Sequence, residues 1–135
     1  MIKVSVYSFS YKRGLPVDPN GNGGGFVFDC RSMPNPFWKP ELRKYTGCDK
    51  PIKDFFEEYS DDVDKFLAAA WTMIQQSLKA FKNDGRENLY VAFGCTGGQH
   101  RSVYFAERMA TYLRGLGEID VELVHAAKEF WKNES

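Results

Sequence analysis

The sequence predicts an α/β fold: one domain over residues 1–135, with a mixed sheet of about four strands, a βαβ unit across residues 88–124 and flanking helices. Three observations carry this prediction. Apolar and polar residues alternate with a two-residue period near both ends of the chain, as strands require. A long apolar stripe at three- and four-residue spacing lies in the middle, as an amphipathic helix requires. A strand, a helix and a strand then follow one another from residue 88, and two such strands are joined as a parallel pair by a right-handed crossover.

Each element follows from its own residues. In "IKVSVYSF", residues 2–9, Ile2, Val4 and Val6 alternate with Lys3, Ser5 and Tyr7, the pattern of a half-buried strand. "GLPVDPNGNGGG", residues 14–25, holds five glycines and two prolines and reads as a mobile loop. "FVFD", residues 26–29, is a short buried strand by its aromatic and β-branched content. From Arg31 to Lys53 the four prolines Pro34, Pro36, Pro40 and Pro51 break long helices and central strands. The aromatic residues of this stretch, Phe37, Trp38 and Tyr45, predict an ordered loop with Phe37 and Trp38 in its core. Ser60 is placed to cap a helix with Asp61, Asp62 and Asp64 in its first turn. Its stripe runs Val63, Phe66, Leu67, Ala70, Trp71, Ile74, Leu78, Phe81 and stops near the Asn-Asp-Gly at 83–85. "NLYVAF", residues 88–93, is the third strand. Gln99 to Arg114 forms a helix with Val103, Ala106, Met109, Ala110 and Leu113 inward, and Gly115 is its stop signal. "EIDVELV", residues 118–124, is the fourth strand, and the amphipathic "HAAKEFWKN" ends the pattern.

The 135 residues suit one core that buries roughly two-thirds of the unfolded chain's surface. Eighteen basic residues balance eighteen acidic ones, so no global field gathers a polyanion and any anion site has to be local. Cys30, Cys48 and Cys95 are odd in number and unpaired in spacing, and the chain has no C-x-x-C, so neither a disulfide framework, a metal nor another cofactor is expected. The serines of "MIKVSVYSFS" interrupt the apolar run a signal peptide needs, and no membrane span is visible. These features predict a cytoplasmic protein.

The candidate site is "GCTGGQHRS", residues 94–102, at the carboxyl end of the third strand and the start of a helix, where open α/β sheets gather ligands. Unpaired amides at a helix start bind anions, and Gly94, Gly97 and Gly98 let the backbone approach one. Arg101 adds a guanidinium fork, and Thr96 and Ser102 add hydroxyl donors. The loop is neither a P-loop nor a G-x-G-x-x-G fingerprint. Cys95 and Arg101 do stand at the cysteine, five residues, arginine spacing of cysteine-dependent phosphatases. Gly94 replaces the histidine usual before such a cysteine, and the general acid has only Asp29, Asp49 or Asp54 as candidates.

"SFSYKRGLP" at 8–16, "FVFDCRSMPNPFWKPELRKYTGCDKPI" at 26–52 and "VAFGCTGGQHRSVYFAERMATYLR" at 91–114 together resemble the C-terminal domain of the RapZ family. The resemblance implies a bacterial regulatory adapter whose C-terminal domain binds small RNA and senses glucosamine-6-phosphate. The family's N-terminal P-loop domain has no counterpart here, so its nucleotide binding is not carried over. Where the family has a basic Arg-His-Arg segment, His125 stands between Val124 and Ala126, and residues 118–135 hold five acidic and two basic side chains. RNA is therefore an expectation of the family that the tail opposes.

The expected ligand-binding set is Lys12, Arg31, Thr96, Gly97, Gly98, Gln99, His100, Arg101 and Ser102, with Asn35, Arg43 and Thr46 as a roof. The expected function is a non-catalytic domain that binds a phosphorylated small molecule, possible as a homo-oligomer or beside a separate P-loop partner. The alternatives are a cysteine phosphatase using Cys95 and Arg101, and an RNA-binding adapter.

Overall fold

β-branched and aromatic residues dominate the four strands: β1 (Ile2–Ser10), β2 (Phe26–Asp29), β3 (Asn88–Cys95) and β4 (Ile119–His125). In the computed structural model, which describes residues 1–132, they form one sheet in the order β2-β3-β1-β4. Every pairing is parallel. The sheet is thus parallel throughout and not mixed, because none of the connections is a hairpin: even the consecutive neighbours β2 and β3 are joined by a long crossover through residues 30–87. The strand pair of the 88–124 unit is parallel as its crossover helix demands, but β1 is inserted between β3 and β4.

Central placement changes β1 from the expected half-buried strand to one buried from Val4 to Ser10. Val4 and Val6 point into the main core with Val91 and Phe93 of β3. Tyr7 and Phe9 point to the opposite face with Tyr90 and Ala92, and Tyr11 packs on them. The Tyr90 hydroxyl donates to the Pro16 carbonyl at 2.7 Å, which ties the 14–25 segment over that face. Asp18 accepts from the amides of Asn20 and Gly24, so the segment read as a mobile loop has a defined turn structure.

Three helices cover the other face. α1 (Lys50–Glu57) is absent from the sequence reading because Pro51 reads as a breaker. Pro51 lies in the first turn, where an amide is unpaired in any helix and its loss costs nothing. Ile52, Phe55 and Phe56 are then buried. α2 (Ser60–Asp84) carries the predicted stripe and ends at Gly85, whose φ of 71° is left-handed. Tyr59, not Ser60, takes the cap position, so the serine's expected side-chain cap is not made. α3 (Arg101–Leu116) buries Val103, Ala106, Met109, Ala110 and Leu113 as expected. It continues past Gly115 and stops at Gly117.

The proline segment between β2 and α1 is ordered by two single 3-10 turns, Pro36–Trp38 and Pro40–Leu42. Asn35 caps the first, its side-chain oxygen accepting from the Phe37 amide at 3.1 Å. Phe37 and Trp38 are 52% and 68% exposed, so neither belongs to a loop core as expected: a 3-10 turn this short holds them outward. After β4 the chain makes one more 3-10 turn, Lys128–Phe130, and folds back, with Ala127 buried. No helix of the described residues is long and apolar enough to cross a membrane.

Candidate functional site

The carboxyl ends of β1 and β3 meet in register, Ser10 opposite Cys95, so the segments leaving the sheet there share one rim. The Ser10 hydroxyl donates to the Thr96 carbonyl at 2.7 Å and accepts from the Lys12 amide, which joins the two departing loops. Gly98 is left-handed at φ 68°, and a Cβ there would lie 2.8 Å from Ala127 Cβ and 2.9 Å from Ser10 Cβ. At Gly97 a Cβ would meet nothing within 4 Å. The adjacent glycines therefore do different things: Gly98 allows the loop to turn between β1 and the returning tail, and Gly97 leaves space open.

That space is a cleft of about 630 Å³, within the range of small-molecule sites. Its described lining contains five cationic side chains, from Lys12, Arg13, Arg43, Arg101 and Lys132, and no carboxylate. The walls are two cation-bearing aromatics: the Arg13 guanidinium sits 3.7 Å over the Phe130 ring, and that of Arg43 sits 4.3 Å over Phe37. These stacks orient the arginines without neutralising them. Arg101 is almost fully buried, and one of its terminal nitrogens donates to the Arg31 carbonyl at 2.8 Å and the Met33 carbonyl at 3.3 Å. It thereby clamps the segment after β2 to the site while keeping a positive charge at the cleft.

His100 is 7% exposed and precedes α3, and its Nε2 finds no hydrogen-bond partner among the described residues. Burial pushes its pKa below the ordinary range, against backbone oxygens of Tyr45, Arg43 and Leu42 that act in the other direction. Burial thus favours the neutral imidazole, a donor or acceptor at the cleft wall.

Of the predicted ligand set, Lys12, Thr96, Gly97, Gln99, His100 and Arg101 line the cleft, together with Asn35 and Arg43 of the predicted roof. Arg31, Gly98, Ser102 and Thr46 do not line it. Arg31 is turned to Asp29, its Nη2 2.7 Å from the carboxylate, and stacks over Tyr11. The same pairing, through the Arg31 side chain first, holds the Asp29 carboxyl below its usual range. Ser102 is fully buried beneath the loop, where its hydroxyl lies 3.1 Å from Cys95 Sγ and its amide donates to that sulfur at 3.4 Å. Thr46 is joined to Asp49 through its amide and hydroxyl. Gln99 touches the cleft but is structural in its polar contacts: its amide nitrogen donates to the carbonyls of Arg43 and Tyr45, and its oxygen accepts from the Lys132 amide. Asp29, Asp49 and Asp54 are engaged with Arg31, Thr46 and Lys50, and none of them lines the cleft.

Phe130 and Lys132 line the cleft and are absent from the sequence reading. The tail that carries them is held by Trp131, whose indole N–H donates to the Gly98 carbonyl at 2.7 Å. No local signal marks such a contact, because its two partners are 33 residues apart.

Fold and site define a class: a parallel α/β domain with a cationic cleft at the carboxyl ends of its strands. A family model for the RapZ C-terminal domain matches residues 2–129, and the chain belongs to that family. It is 43% identical over 122 residues to a nucleotide-binding protein of Xanthomonas euvesicatoria pv. vesicatoria, covering 90% of this chain and 41% of that protein. It is 39% identical over 132 residues to a nucleotide-binding protein of Actinobacillus succinogenes, covering 98% and 44%. An RNase adapter protein RapZ of Hamiltonella defensa is 43% identical over 122 residues, covering 90% and 40%. The chain thus spans about two-fifths of the length of these relatives.

Proposed function

We propose that this chain is a regulatory, non-catalytic domain whose cleft binds a phosphorylated small molecule, with an amino-sugar phosphate as the leading candidate. The observation that carries this reading is the described lining: five cations and no carboxylate, on a chain whose formal net charge is zero. Positive charge has been gathered locally, and the pocket's size suits a ligand of one sugar ring and one phosphate. Asn35 supplies a side-chain amide suited to sugar hydroxyls, and Arg101 and the first turn of α3 suit the phosphate. Cleavage of a phosphate ester by Cys95 is the less supported reading, because no described lining residue offers a carboxyl to protonate the leaving group. RNA as the direct ligand is likewise disfavoured, since β4 turns Asp120 and Glu122 outward along its edge. The RNase adapter relative keeps the chain's regulatory role in a larger assembly as part of the proposal.

The test is thermal denaturation of the chain with inorganic phosphate, glucosamine-6-phosphate and glucosamine. The phosphorylated compounds raise the melting temperature, in line with about 2.7 kcal/mol at a hundredfold excess over Kd, and glucosamine alone does not. Lys12→Ala diminishes the effect; the Lys12 ammonium makes no hydrogen bond or ion pair among the described residues, so its loss does not disturb the fold. No shift with either phosphorylated compound rejects the reading. Aryl-phosphate hydrolysis that disappears in Cys95→Ser supports the phosphatase instead.

A further inference from the structure

Outside the cationic cleft, three side chains with metal-ligand chemistry converge from distant parts of the chain. Cys48 comes from the loop before α1, Glu107 from the second turn of α3, and His125 is the last residue of β4. His125 Nε2 lies 2.8 Å from Glu107 Oε2, and Cys48 Sγ lies 3.5 Å from that oxygen and 4.0 Å from that nitrogen. None of the three lines the cleft.

A hydrolytic relay does not explain the arrangement. In a nucleophile, histidine and acid triad the two partners occupy opposite ring nitrogens. Here the thiol and the carboxylate both address Nε2, and Nδ1 is held by Ser8 Oγ at 2.6 Å. Ser8 is fully buried in β1, so its hydroxyl cannot meet a substrate; it fixes the ring from behind.

The geometry points to a metal centre: we propose that Cys48 Sγ, Glu107 Oε2 and His125 Nε2 are three ligands of a divalent transition-metal ion of the zinc class, with water in the fourth position. Thiolate, imidazole and carboxylate together select zinc-like ions over calcium or magnesium, which prefer oxygen alone. Ordinary zinc bond lengths in a tetrahedron space such ligand atoms about 3.4–3.6 Å apart. The sulfur to oxygen distance of 3.5 Å already fits. The sulfur to nitrogen distance of 4.0 Å closes by about 0.5 Å, and the nitrogen to oxygen distance of 2.8 Å opens by about 0.6 Å as the ion replaces the hydrogen bond. In the ion-bound state Nε2 holds the ion and Nδ1 carries the ring proton, donating it in a hydrogen bond to Ser8 Oγ. Cys48 gives its thiol proton to solvent. One proton leaves per ion bound, and the two ligand charges balance the cation.

The experiment is titration of the tag-free chain with Co²⁺, followed by displacement with Zn²⁺. One cobalt per chain is expected, with the visible bands of four-coordinate cobalt and a near-ultraviolet sulfur-to-cobalt charge-transfer band, and zinc abolishes both. Cys48→Ala, at an exposed position that leaves the core intact, removes the charge-transfer band. Ser8→Ala keeps that band and weakens zinc binding about tenfold or more, as loss of an outer-shell partner does. Absence of saturable one-to-one binding overturns the assignment. So does a charge-transfer band that survives Cys48→Ala. Because cobalt reads this cluster alone, the result is independent of whether the cleft binds phosphate.

Discussion

Gly98→Ala and Gly97→Ala change neighbouring residues by the same methyl group, and the structure gives them opposite outcomes. At Gly98 the left-handed backbone, φ 68°, costs a residue with a Cβ about 1–2 kcal/mol. The added carbon would also stand 2.8 Å from Ala127 Cβ, 2.9 Å from Ser10 Cβ and 3.0 Å from the Ser10 amide nitrogen. Two of those atoms belong to a buried central strand that has no room to retreat, so overpacking adds about 1–3 kcal/mol. The sum, about 2–5 kcal/mol, is a large fraction of a domain's total stability. At about 4 °C per kcal/mol for a chain of this size it lowers the melting temperature by about 8–20 °C. Gly97→Ala meets nothing within 4 Å and stays within about 0.5 kcal/mol of the wild type. Its methyl instead projects at the cleft and reduces the stabilisation that glucosamine-6-phosphate confers. Thermal melts of both variants, with and without ligand, decide the matter. A Gly98→Ala protein melting within about 2 °C of the wild type, or a Gly97→Ala protein less stable than it, would refute the geometry of the loop.

Two further substitutions probe the scaffold of the cleft. Gln99→Glu places carboxylate oxygen against the carbonyls of Arg43 and Tyr45, where the amide nitrogen now donates at 3.1 and 2.9 Å. It lowers stability by about 1–3 kcal/mol and by more than Gln99→Ala, read from urea midpoints; equal effects would mean the amide carries no strut. The depressed pKa of His100 has a definite sign: the unfolded chain takes up the proton first as pH falls. The stability it contributes is complete above the ordinary histidine value of about 6.5 and is lost as pH falls toward the lower folded value. The urea midpoint should therefore drop further between about pH 7.5 and about pH 5.5 in the wild type than in His100→Gln. A parallel drop in both proteins counts against a buried neutral imidazole.

Much of this was legible along the chain, and the reason is locality. The α2 stripe, the inward face of α3 and the span of β2 are periodic patterns within one segment, and each forms where the pattern places it. The Cys95–Ser102 loop was legible for the same reason, since a strand, glycines and a helix start are contiguous. α1 was not, because Pro51 is a breaker in a helix interior and an ordinary residue in a first turn, and only the helix around it distinguishes the two. Arg31 stands in the expected ligand set, yet its side chain is paired with Asp29 two residues earlier and does not line the cleft.

By itself the sequence determined the fold class, the order of its main elements and the family, and it singled out the loop that lines the cleft, all of them properties carried by short contiguous patterns or by their succession. Tertiary structure alone decided that β1 is the central strand, that Phe130 and Lys132 return to complete the cleft, and that Cys48, Glu107 and His125 meet. Those are encounters between residues tens of positions apart. They depend on which strands pair and on how the chain crosses the sheet, and no local spacing in the chain records that.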